Sequence, residues 1–184
     1  FGLKRPITNF NSSIVVVTSI LSFYLAPFFL SNLKLNLNQI KNILKGINLY
    51  IYFFANLILI FLCLNFSYDG TIGGGIFYKL SLLTLNNNLI FFLSSFFGLF
   101  LLFFFSNQKY DYFILILILI FSFSSGIYIF QKYFEPLMYF VFILLFDKKK
   151  VEEILKNKLD FLMIYFMVYW VIYFMYSTGK IYIY

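Results

Sequence analysis

Long runs without a charged residue constrain the fold of this chain more than any other feature of its sequence. The longest extends from Leu80 to Gln108, and another extends from Pro6 to Leu33. A helix rises about 1.5 Å per residue, so roughly 20 residues cross the hydrocarbon core of a bilayer, which is about 30 Å thick. Both runs exceed that length. They predict helices embedded in lipid.

Six such segments account for nearly all of the apolar residues. We predict spans at about residues 14–30, 47–65, 76–105, 112–125, 127–146 and 161–179. The fourth contains the run FILILILIF, whose β-branched residues favour a strand locally. Both faces of that run are apolar, however, and a lone strand leaves its backbone unpaired in lipid, so a helix is favoured. The predicted fold class is all-α, a polytopic transmembrane helix bundle forming a single integral membrane domain over residues 1–184.

Composition excludes several classes of protein and of site. Hydrophobic residues make up 62% of the chain and charged residues 11%, whereas a soluble domain is nearer half apolar and a quarter charged. A disordered chain would need low hydrophobicity. There is no histidine and one cysteine, Cys63, so imidazole ligands, four-cysteine zinc sites and intrachain disulfides are excluded. We therefore expect no metal and no bound cofactor, and we interpret Cys63 as an inert core residue.

Residue usage indicates where the chain is encoded. The sequence contains 29 Phe and 16 Tyr but one arginine, Arg5, and two alanines, Ala26 and Ala55. This is the bias of AT-rich codons, and an organellar genome is the obvious candidate. Many of the aromatic residues are then expected to fill space in lipid-facing and packed positions.

Polar residues are concentrated in the connections between the predicted spans. Asp69–Gly75 reads DGTIGGG, but no Gly-Lys-Ser/Thr follows, so a flexible loop is favoured over a phosphate loop. Asp147–Asp160 reads DKKKVEEILKNKLD and predicts a short amphipathic helix or a polar loop. Nine basic residues in the first, third and fifth connections, against five on the other side, place the connection at Asp147 on the matrix or cytoplasmic side. The net charge of +7 suits phospholipid headgroups, and no basic stripe indicates nucleic acid.

Glu135 is out of place in the fifth predicted span. A carboxylate at that depth costs a few kcal/mol unless it is paired or protonated. Lys132 lies three residues earlier on the same helix face, and Pro136 weakens the helix directly after the carboxylate. These residues form a plausible proton-transfer element, Glu135 with Lys132. The alternative is a buried ion pair that joins two helices, or a Lys132 that extends to the membrane surface.

Three segments of the chain resemble chain 2 of the proton-pumping NADH:ubiquinone oxidoreductase, an antiporter-like membrane subunit of respiratory complex I. FQKYFEPLMYFVFIL is similar to its fifth span, which carries a glutamate. LKNKLDFLMIYFMVYWVIYFMYSTGK is similar to its sixth span, which closes on a Thr-Gly turn. YDGTIGGGIFYK resembles, more weakly, the loop before its third span. Chains 4 and 5 of the complex have a similar fifth-span glutamate, so the choice of chain 2 rests mainly on the sixth span.

The resemblance implies a function for Glu135. In the family this glutamate pairs with a lysine on a seventh span, and the pair takes part in proton transfer. Six spans correspond to the N-terminal half of chain 2, so the resemblance implies a split gene product of a ciliate-type mitochondrion, with another chain supplying the remaining helices. It also implies a multi-pass subunit, in the inner membrane, of a proton-translocating NADH:ubiquinone reductase. The chain itself would perform no redox chemistry. Its partners would be phospholipid and the other membrane subunits of the complex.

Two other functions fit the same sequence. A lineage-specific structural subunit of another respiratory complex or of the ATP synthase would pair Glu135 with Lys132 and need no companion chain. A small transporter is a third alternative, but the chain shows no paired half-repeats with matching broken helices.

Overall fold

The computed structural model describes residues 10–31, 49–68, 73–105, 116, 118 and 148–181. These residues are mostly helical, and the all-α class is confirmed for them. The helices are α1 (Phe10–Ser31), α2 (Leu49–Leu64), α3 (Gly75–Leu85), α4 (Leu89–Phe105) and α5 (Lys148–Ile181).

Helix α1 is the centre of the described structure. Val15, Val16 and Val17 are consecutive, and all three are completely buried. Since successive side chains point about 100° apart around a helix, neighbours must surround α1 at this level. Contacts with the four other helices provide that enclosure, and the contact with α4 is the most extensive.

Helices α1 and α4 run side by side in the same direction. Near their beginnings, the Ser95 hydroxyl donates to the Val15 carbonyl oxygen over 2.8 Å. Near their ends, the rings of Phe29 and Phe104 meet edge to face, with centroids 5.2 Å apart. Residue numbers therefore rise together along the pair, so the chain between the two helices returns to the level at which α1 begins.

Helix α2 runs opposite to both. Its first turn lies beside the end of α4, because the rings of Tyr52 and Phe103 are 5.4 Å apart. Its far end lies beside the beginning of α1, where the Ser12 hydroxyl donates to the Ser67 carbonyl oxygen over 2.8 Å. The chain thus goes up through α1 and comes back through α2.

One helix among the described residues is long and apolar enough to cross a membrane, the 21-residue segment Asn11–Ser31. Three apolar helices are shorter, namely Tyr50–Leu64, Gly75–Leu85 and Leu89–Phe105. Because α1 is enclosed by the other helices, its apolar character also suits the core helix of any helical bundle. The transmembrane bundle of about six spans remains a prediction.

The third predicted span, residues 76–105, is two helices rather than one. Asn86 has φ of 49°, and this left-handed conformation ends α3. Asparagine adopts it more readily than most residues because its short side chain bonds to the local backbone. The Asn87 side-chain oxygen then accepts a hydrogen bond from the backbone N–H of Leu89 over 3.0 Å, at the beginning of α4.

The C-terminal prediction is confirmed as helix but with different bounds. Residues 148–160 of the polar segment and the predicted span 161–179 both lie in α5, whose two helical stretches join at a kink at Lys158 (φ −140°, ψ 25°). The predicted spans 112–125 and 127–146 lie outside the described residues, apart from helical Ile116 and Ile118.

Candidate functional site

A row of buried hydroxyl groups lies between α1 and α4. The row, here called the hydroxyl seam, consists of Thr18, Ser19 and Ser22 from α1 and Ser94 and Ser95 from α4, all buried. Residues four apart share a helix face, so the sequence spacing puts these groups on the facing sides of the two helices. Small residues at this spacing let helix backbones approach closely, as they do in membrane helix pairs.

Most of the hydroxyl seam is hydrogen-bonded. The Ser19 and Ser94 hydroxyl oxygens are 2.6 Å apart, and Ser95 donates to the Val15 carbonyl oxygen. Thr18 bonds back to its own helix, to the Ile14 carbonyl oxygen over 2.9 Å. Such bonds matter in an apolar core because an unpaired polar group there costs free energy. The seam therefore fixes both the distance between the two helices and their register.

The Ser22 hydroxyl differs from the rest of the hydroxyl seam. Its oxygen is fully enclosed, and no hydrogen-bond partner for it lies among the residues that the structure describes. The residue itself is 1% exposed. Serine at this position is small enough to let α4 approach. The contact depends on this small size and not on a hydrogen bond from the hydroxyl group.

Gly98 lies at the closest approach of the two helices. A Cβ atom added to Gly98 would collide with the Thr18 carbonyl oxygen and would lie 2.9 Å from the Ser22 backbone nitrogen. An Hα atom of Gly98 points to that carbonyl instead, which is the geometry of a weak Cα–H···O contact. Glycine is costly inside a helix relative to alanine, and this contact explains its presence here.

A second contact, which is partly buried, compensates for a missing hydrogen bond in α1. Pro27 has no backbone N–H, so the carbonyl oxygen of Phe23, four residues earlier, lacks its normal helical donor. The Tyr165 hydroxyl of α5 donates to that oxygen over 3.3 Å. The rings of Tyr165 and Tyr169 also pack on the Phe23 ring, with centroids 5.5 and 4.6 Å away. Tyr165 is therefore both a packing residue and a hydrogen-bond donor.

This arrangement predicts that the effect of removing the Tyr165 hydroxyl depends on Pro27. Tyr165→Phe is expected to lower the free energy of unfolding of the full chain in detergent by about 0.5–1.5 kcal/mol, the net contribution of one hydrogen bond. In a Pro27→Ala background the alanine N–H satisfies the Phe23 carbonyl, and the effect of Tyr165→Phe should become small. A double-mutant cycle measures this coupling.

The matched control for that cycle is Tyr50→Phe, which removes a hydroxyl from a side chain that is 86% exposed. It should change stability little in either background. Equal losses from Tyr165→Phe in the native chain and in the Pro27→Ala variant would contradict the proposed repair of the helix.

The chemistry of the hydroxyl seam is limited to hydrogen bonding. Serine and threonine supply donors and acceptors but no charge at neutral pH. Across the part of the chain that the structure describes, no group of three or more His, Cys, Asp or Glu side chains is placed to hold a metal ion. The seam is a structural contact between helices, and it has no side chain suited to proton release.

The residues predicted to transfer protons, Glu135 and Lys132, lie outside the described residues. Cys63 lies in α2 and is half-buried, at the edge of the core. Asp160 is exposed on α5. The hydroxyl seam and the Tyr165 contact were not anticipated, although the small residues at four-residue spacing and Pro27 were visible signals for both.

Comparison with known proteins finds no match: no protein-family model, no curated protein and no solved structure is significantly similar to the chain.

Proposed function

We propose that this chain is a membrane-arm subunit of a proton-pumping NADH:ubiquinone oxidoreductase in the mitochondrial inner membrane, equivalent to the N-terminal half of chain 2. The observation that carries the proposal is Glu135, a carboxylate within an apolar run that resembles the family's fifth span. Glu135 would bind and release protons, with Lys132 or a lysine from sequence outside these 184 residues as its partner.

The described helices support a membrane location for the subunit. Their main contact uses small and hydroxyl residues, which is how membrane helices pack in the absence of a hydrophobic driving force. Helix α2 also exposes a broad apolar surface, in which Tyr50, Phe53, Phe61 and Leu64 are each more than 60% exposed. An exposed apolar surface of that size marks contact with lipid or with another subunit.

A second candidate function is that of a structural membrane subunit without a proton path. It is favoured by the helix contacts themselves, since the described interfaces are built from hydroxyl and aromatic side chains. In this case Glu135 and Lys132 would pair with each other and hold two helices together.

The two candidates predict different associations for the native chain. We expect the chain in mildly solubilised inner membranes to comigrate on native gels with NADH dehydrogenase activity, and to crosslink to other membrane-arm subunits of that complex. Mass spectrometry of the active band measures this directly. Comigration with another respiratory complex or with the ATP synthase would support the structural candidate and contradict the first.

A further inference from the structure

The segment between α2 and α4 begins and ends at the same end of the bundle. Phe66 follows α2, and its ring lies 5.1 Å from the ring of Phe91 and 5.5 Å from that of Phe92, in the first turn of α4. Ser67 is hydrogen-bonded to Ser12 at this level. The chain therefore leaves α2 and enters α4 on one side, and α3 lies entirely within that excursion.

The beginning of α3 reaches well into the bundle. The Phe77 ring lies 6.4 Å from the ring of Phe23. Phe23 is eleven residues beyond Ser12, so it lies about 16 Å along α1 from the end where the excursion starts. The Tyr78 ring, one residue further along α3, packs 5.3 Å from the ring of Phe91 in the first turn of α4. The beginning of α3 therefore lies between these two levels, in the half of α1 nearer Ser12.

Three glycines and a tyrosine shape the turn that leads into α3. Gly73, Gly74 and Gly75 all have positive φ angles, of 90°, 78° and 78°. A Cβ at Gly74 would lie 2.6 Å from the Tyr78 ring, so the loop also packs closely on the helix that follows. The Tyr78 hydroxyl donates to the Tyr68 carbonyl oxygen over 3.1 Å, which fastens α3 to the end of the preceding helix.

The end of α3 returns to the polar edge. Its 11 residues extend about 16 Å, enough for one leaflet and too short for a full crossing. Asn86 and Asn87 follow and are exposed, and the Ser81 hydroxyl donates to the Asn87 carbonyl oxygen over 2.6 Å. Four leucines of α3 are exposed, Leu80, Leu82, Leu83 and Leu85, and Leu83 is the most exposed of them.

We propose that α3 is a re-entrant half-helix: it begins within one leaflet and runs back to the surface of that leaflet, its exposed leucines contact the acyl chains there, and Asn86–Asn88 emerge on the same side as Ser67. The proposal rests on the membrane location proposed above. It goes beyond the six-span topology, because the third span is then α4 alone and Asn87 lies at the surface rather than within the hydrocarbon.

Single-cysteine labelling of the full chain in sealed vesicles tests this topology. Cys63 is the only cysteine, so Cys63→Ala provides a background for Ser67→Cys, Asn87→Cys and Leu83→Cys. With a membrane-impermeant maleimide, Ser67→Cys and Asn87→Cys are expected to react from the same side. Leu83→Cys is expected to react only after detergent is added. If Asn87→Cys does not fold, Asn88→Cys, in the same turn, replaces it.

Two results would overturn the half-helix. An Asn87→Cys variant that is shielded until detergent is added would show one long span over residues 76–105. An Asn87→Cys variant that reacts from the side opposite Ser67→Cys would show that α3 crosses the bilayer. Release of the unmodified chain from the vesicles by alkaline carbonate would instead disprove the membrane location, and the half-helix with it, so the two failures are distinguishable.

Discussion

In the oxidoreductase to which we propose that this chain belongs, Glu135→Gln is expected to abolish most of the proton pumping. Glutamine keeps the size and hydrogen-bonding capacity of the side chain but can neither bind nor release a proton at neutral pH. A fall of about tenfold in the pumping rate corresponds to roughly 1.4 kcal/mol on the coupled step. Pumping is measured in vesicles as acidification driven by NADH and quinone, and NADH oxidation by an artificial acceptor reports the peripheral arm separately.

The peripheral-arm activity should survive Glu135→Gln, because the proposed subunit performs no redox chemistry itself. Glu152→Gln is the matched control. It makes the same acid-to-amide change at an exposed position on α5, and it should leave pumping unchanged. Wild-type pumping and coupled quinone reduction in Glu135→Gln would disprove the proton path and leave the structural candidate.

Gly98→Ala is expected to cause the largest loss of stability of any single added methyl group in the described structure. The new Cβ would collide with the Thr18 carbonyl oxygen and approach the Ser22 nitrogen to 2.9 Å. Both are backbone atoms of a helix, so neither can rotate away. The two helices must separate, which costs about 1–3 kcal/mol for overpacking and weakens the hydrogen bonds of the hydroxyl seam. Thermal or SDS unfolding of the full chain in detergent measures the loss.

Leu93→Ala is the control for Gly98→Ala. It also introduces alanine into α4, at a side chain that is 60% exposed, and it should cost much less. A second test uses the backbone nature of the contact: Thr18→Ala shortens the facing side chain but leaves its carbonyl oxygen in place. Restoration of stability by Thr18→Ala in the Gly98→Ala background would contradict the contact described here.

The positions of the helices were largely predictable from the lengths of the runs without a charged residue. The predicted spans 14–30 and 47–65 correspond to α1 and α2 within a few residues at each end. The apolar content of residues 76–105 indicates one span and does not reveal that these residues form two helices. Three consecutive asparagines occupy the middle of that range, and their local hydrogen bonds compete with a helix. A similar local signal was absent at Lys158, where α5 bends without a proline or glycine.

The contacts between helices were much harder to predict. In the sequence, the small residues of α4 look like ordinary interruptions of a phenylalanine-rich run: Ser94, Ser95 and Gly98. Their spacing can be recognised as a helix contact only when Thr18 and Ser22 are known to lie opposite. Tyr165 is one of the many aromatic residues expected to fill space, and nothing in its own segment indicates that its hydroxyl has a carbonyl to satisfy. Partners across 75 to 142 residues of sequence are set by the packing of the whole bundle.

The Tyr165 contact has a consequence for the order in which the chain is assembled. Helix α1 is synthesised before α5, yet Pro27 leaves the Phe23 carbonyl oxygen without a helical donor from that moment. The donor is 142 residues further along the chain, so it arrives only when α5 has been made and has reached its place. Until then the first helix holds an open acceptor in an apolar environment, where such a group is unfavourable. Packing of α5 on α1 thereby satisfies, through one hydroxyl group, an acceptor that α1 alone leaves open.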